Sequence, residues 1–102
     1  MSRVPRAAAV PSEMQGRWVD EEEPSSELII DGGEVTCFGA RVDYDWKEIQ
    51  HIDGALTVTL GVDGEARQDS FARANITDLV IAPDGAFYGY NVKFSCRFIR
   101  AE

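Results

Sequence analysis

The chain has 102 residues and a formal charge of −8, from 10 Lys plus Arg against 18 Asp plus Glu. That length favours one domain, and that charge repels phosphate backbones and anionic headgroups, which sets nucleic acid and membrane partners aside. No apolar run approaches a membrane span of about 18 residues, and Ala7-Ala8-Ala9-Val10 is too short and weakly apolar for a signal-peptide core, so the sequence reads as cytoplasmic.

Residues 1–12 lack periodicity and carry Pro5 and Pro11, which predicts a flexible N-terminal arm ahead of one domain spanning 13–102. The stretch from Met14 to Val19 opens the first strand, Gly16 to Asp20. Gly16 permits a tight turn with no Cβ in the way. Trp18 then offers a large ring to plug the end of a small barrel. Glu21-Glu22-Glu23-Pro24-Ser25-Ser26 breaks the strand with charge, Pro and Ser, and the acidic run reads as a solvated loop. Glu27 to Ile30 is the second strand.

Asp-Gly pairs follow at Asp31-Gly32, Asp53-Gly54, Asp63-Gly64 and Asp84-Gly85. Between β-rich runs this pair is a strong hairpin signal, because a type I′ turn needs positive φ at both central residues. The runs between the turns have period 2. Val42, Tyr44 and Trp46 alternate with Asp43, Asp45 and Lys47; Leu56, Val58, Leu60 and Val62 alternate with Thr57, Thr59 and Gly61. The phase slips between Trp46 and Ile49, which predicts a bulge near Lys47-Glu48. Glu65 to Arg73 is the weakest strand, and Asn75 to Asp78 reads as a loop. Tyr88, Tyr90, Val92, Phe94, Cys96 and Phe98 line one face of what reads as a single long final strand. The fold class is therefore all-β: an antiparallel up-and-down meander of about eight strands, closed into a small barrel or strongly bent sheet.

Gly16-x-Trp18, the meander and a basic residue near the end together resemble the calycins, the lipocalins and fatty-acid-binding proteins. That resemblance implies a barrel whose opening Trp is packed by a late Arg. Arg100, in register with Phe98, is the first candidate and Arg97 the second; such stacking contributes roughly 0.5–2 kcal/mol. The chain is shorter than most members of that group, which argues for a small interior.

Tyr44, Trp46, Tyr88, Tyr90 and Phe94 are the candidate ligand-binding residues, since rings with polar handles suit a pocket wall or an interface. His51 stands alone beside a turn, and no His, Cys, Asp or Glu spacing suggests a metal or cofactor. No nucleophile lies beside a base motif. Cys37 and Cys96 read as reduced thiols. The expected function is non-catalytic binding of a small apolar or aromatic ligand. The alternative is a protein-interaction or self-assembly module, a homodimer with a filled core.

Overall fold

A computed structural model describes residues 2–37, 39–61, 77–90 and 95–101. Their strands are β1 (Ser2–Pro5), β2 (Gly16–Asp20), β3 (Glu27–Asp31), β4 (Glu34–Cys37), β5 (Ala40–Arg41), β6 (Trp46–Ile52), β7 (Ala55–Gly61), β8 (Asp78–Ile81), β9 (Phe87–Tyr90) and β10 (Ser95–Arg100). They form one antiparallel sheet in the order β1-β6-β7-β8-β9-β10-β2-β3-β4-β5. The sheet is a strongly curled half-barrel meander. Its concave side holds the core, including Trp18, Leu28, Ile30, Val35, Tyr44, Val58, Leu79, Phe87 and Phe98.

Turn chemistry explains the hairpins. Asp53 and Gly54 have φ of 51° and 83° and form a two-residue loop between paired Ile52 and Ala55, the geometry for which Asp-Gly is selected. Gly32 and Gly33 join β3 to β4, where Asp31 pairs with Glu34. Asp84 Oδ1 accepts a bond from the Ala86 amide in the β8–β9 turn. The pair Asp63-Gly64 and the weak strand read at Glu65 to Arg73 lie outside the described residues, as does the end of the Leu56 run at Val62.

Three expectations are corrected. First, part of the arm is a paired strand and not irregular chain. Ser2–Pro5 pair with Trp46 to Ile49, and Val10, whose amide donates to Gly32 O, is buried in the core. Four residues ending in Pro show no period of their own; the free edge of the longer β6 imposes the strand.

Second, β6 pairs with β7 in unbroken register from Trp46↔Gly61 to Ile52↔Ala55, with no bulge at Lys47-Glu48. The slip falls earlier, in the link between β5 and β6. Val42 and Tyr44 face the core, whereas in β6 the inward phase belongs to Lys47 and Ile49, opposite buried Leu60 and Val58. Trp46 therefore faces outward, packed where a Cβ on Gly61 would lie 2.1 Å from its ring.

Third, the long final strand is a hairpin. Tyr90 pairs with Ser95 and Phe87 with Phe98. The reversal inverts the face: Phe87, Gly89, Cys96 and Phe98 point inward, while Tyr88 and Tyr90 share the outer face with Arg97 and Ser95.

Cys37, which is buried, and Cys96, which is half-buried, are not joined in a disulfide. Burial pushes Cys37 up to about 12, with Cys96 adding to it. Burial, then Asp20 beside it, pushes Cys96 up to about 11. Because the thiolate is the reactive form, both thiols should react with an aromatic disulfide reagent at pH 8 more than about tenfold slower than in denaturant. Fast labelling of the native chain would contradict this placement.

Candidate functional site

Gly16, Trp18 and Arg100 meet where β10 joins β2. Arg100 pairs with Trp18 across the ladder, and its guanidinium carbon lies 3.9 Å from the Trp18 ring centroid. The same guanidinium donates to Gln15 O. Gly16 has φ of 115°, so the backbone requires glycine there, and a Cβ would stand 2.5 Å from Arg100 Nη1 and displace the tip of that side chain. Trp18 Nε1 donates to Met14 O at 3.0 Å, and its ring meets Phe87 edge-on at 4.5 Å. Arg97 is elsewhere: it faces outward and lies 3.5 Å from Glu21.

The aromatic residues expected to line one pocket are dispersed. Tyr44 is fully buried; Trp46, Tyr88 and Tyr90 are on the outer face; Phe94 lies outside the described residues. The hairpin at β9–β10 and the early slip before β6 put these rings on different faces. Tyr88 and Tyr90 stand side by side with ring centroids 6.1 Å apart. Their strand partners on the outer face are Val80 and Asp78 on one side and Arg97 and Ser95 on the other. Exposed Ile99 and its partner Val19 occupy the same face.

A second constellation forms where the two ends of the curled sheet approach each other. Its central group is Lys47, whose side chain is buried. Lys47 Nζ donates to Pro5 O and Arg6 O, both at 3.0 Å, and to Tyr44 Oη at 3.1 Å. Three donors thus find three acceptors, which is what allows an ammonium to be buried. Burial lowers its proton affinity, Glu34 raises it and Arg6 lowers it further. Tyr44 Oη donates to Gly33 O. Burial first, then Glu34, raises Tyr44 to about 12, against an opposing pull from Arg6.

Arg6 spans the same gap. Its Nη2 is 2.7 Å from Glu34 Oε1, its Nε 3.1 Å from Glu34 Oε2 and its Nη1 3.1 Å from Asp43 Oδ1. This bidentate fork holds Glu34 below its usual carboxylate range, partly offset by burial. Arg3 lies over the Trp46 ring, 3.6 Å from guanidinium carbon to centroid.

Sequence reasoning missed Arg3, Arg6, Glu34, Asp43 and Lys47 as a set. The usable signal was Lys47 itself, a cation falling on the inward phase two residues before Ile49.

His51 is exposed near the β6–β7 turn. Among the described residues no group of three His, Cys, Asp or Glu side chains is placed to hold a metal ion, and no helix is long and apolar enough to cross a membrane. No protein-family model matches the chain, and neither curated proteins nor solved structures give a significant match.

Proposed function

We propose that the chain is a non-catalytic protein-interaction module that self-associates through the outer face of β8, β9 and β10. The observation that supports this reading is the outward placement of Tyr88 and Tyr90, beside Val80, Val19 and Ile99. Tyrosine at an interface buries a large ring at little entropic cost and keeps its hydroxyl satisfied. A second copy suits this face because Asp78 and Arg97, partners of Tyr90 and Tyr88, flank the ring pair. A two-fold operation can set each Asp78 against the other copy's Arg97, which Glu21 also approaches within its own copy.

Sedimentation velocity over a hundredfold concentration range tests it. The wild type should shift from the mass of one chain toward that of two. Tyr88→Ser with Tyr90→Ser should lose the concentration-dependent shift, with little change in melting temperature, because outer-face changes are worth roughly 0.5 kcal/mol. A wild-type mass that does not change with concentration would overturn the reading. The small-ligand class is distinguished by thermal shift with a mixed apolar library: a ligand at 100 times its Kd stabilises by about 2.7 kcal/mol.

A further inference from the structure

The N-terminal strand is held in the way a site holds a ligand. Four kinds of contact fix it, and none uses its covalent link to β2. The backbone of Ser2–Pro5 forms a ladder on Trp46 to Ile49. Arg3 is stacked on Trp46. The Arg6 guanidinium is forked between Glu34 and Asp43. The carbonyls of Pro5 and Arg6 are both bound by Lys47 Nζ. Gly33 completes the groove by omission, since a Cβ there would lie 2.1 Å from Arg6 O and 2.8 Å from Ala8 O. A strand thus runs into a turn, closed by the Ala8 amide donating to Pro5 O, that passes over a glycine, between an aromatic platform and an acidic clamp, with a buried cation bound to its carbonyls. A ladder gives affinity and alternate side-chain sites give specificity in such strand-addition sites.

We infer that this seam is a recognition site for a short strand that ends in a turn and carries two arginines three positions apart, and that its occupant in trans is the Ser2–Arg6 segment of a second copy. The result is a reciprocal strand-exchanged dimer. The second copy is identified by fit, because the chain's own arm is the segment whose arginines, carbonyls and register match the groove. Charge favours the same answer: without Arg3 and Arg6 the formal charge of −8 becomes −10, so the arm is basic and the body that receives it more acidic. β1 lies at one end of the sheet order, so it can leave one body and enter another without threading the chain. Exchange remakes the same contacts twice, which is why swapping an identical element between copies is a low-cost route to dimers.

This inference goes beyond the outer-face reading and uses other residues, so the two fail independently: Tyr88 and Tyr90 take no part in exchange, and Arg6 and Glu34 take no part in the outer face. The test uses two full-length variants, Arg6→Glu and Glu34→Arg. The first offers an acidic arm to an acidic seam, the second a basic arm to a seam made more basic. Each mismatches itself, but exchange between them matches charge at both seams. The two are unfolded, mixed in equal amounts and refolded together, beside each alone, then examined by native mass spectrometry and thermal melting. The expected result is a one-to-one heterodimer at least about tenfold in excess of either homodimer, melting above both single variants. Should neither variant fold alone, recovery of sheet by circular dichroism in the mixture alone gives the same support. A mixture that refolds no better than its components, or whose pairs are statistical, overturns the inference.

Discussion

Replacing Trp18 with alanine is expected to lower stability by about 3–5 kcal/mol, the range for truncating a large buried aromatic. The side chain is 8% exposed and makes three separable contacts. Its edge-on contact with Phe87 adds about 0.5–1.5 kcal/mol beyond burial. The stacked Arg100 adds roughly 0.5–2 kcal/mol, and the bond from Nε1 to Met14 O about 1 kcal/mol. These overlap and do not sum, but all vanish together and leave a cavity under Arg100. A small domain holds about 5–15 kcal/mol in total, so the variant should unfold at a much lower urea concentration with the same slope. A midpoint within experimental error of the wild type would remove Trp18 from the centre of the fold.

The second large effect is at Lys47. Lys47→Met keeps the length of the stem but removes the donors that satisfy Pro5 O, Arg6 O and Tyr44 Oη. Losing a charged donor from buried acceptors costs about 1.5–3 kcal/mol. The loss should be concentrated at the arm, so amide exchange at Arg6, which donates to Asp45 O, should quicken more than exchange in the β6–β7 hairpin. The alkaline limb supplies a separate check. Burial holds Lys47 below its ordinary 10.5, so between its folded value and 10.5 the folded chain binds fewer protons than the unfolded one. Stability from this group therefore rises with pH across that interval. Tyr44 acts in the opposite sense: raised from 10 to about 12, it keeps its proton when folded, and stability falls as pH climbs from 10 to 12. Lys47→Met should abolish the rise and leave the fall. A rise that persists in the variant would assign it to another group.

How far the sequence disclosed the molecule depended on whether local chemistry or tertiary pairing decided each position. β2 was legible because Gly16 and Trp18 each have one physical role, and Asp53-Gly54 because its turn type is local. Arg100 could be chosen over Arg97 by counting from Phe98, since both lie on one strand. The same counting failed from Tyr90 to Cys96, because alternation continued in the letters while the chain reversed between Tyr90 and Ser95. Lys47 was assigned outward because charge normally faces water; the carbonyls that make its burial affordable come from Pro5 and Arg6, more than 40 positions away. The Ser2–Pro5 strand was illegible for a related reason, since its extended form is dictated by the edge it joins.

The sheet order has a consequence for how the chain folds. β2 to β5 form one run of successive neighbours and β6 to β10 another, and in the ladder these runs meet at the β10–β2 pairing. Each run can zip up from its own turns in microseconds, but joining them brings together groups as far apart as Gln15 and Arg100, separated by 85 positions. The entropy of closing that loop must be spent before its contacts give anything back. Folding should thus be governed by a late docking of two preformed ribbons. Shortening the connection between them by circular permutation, with the original ends linked and new ones opened in the β5–β6 link, should speed the slow step.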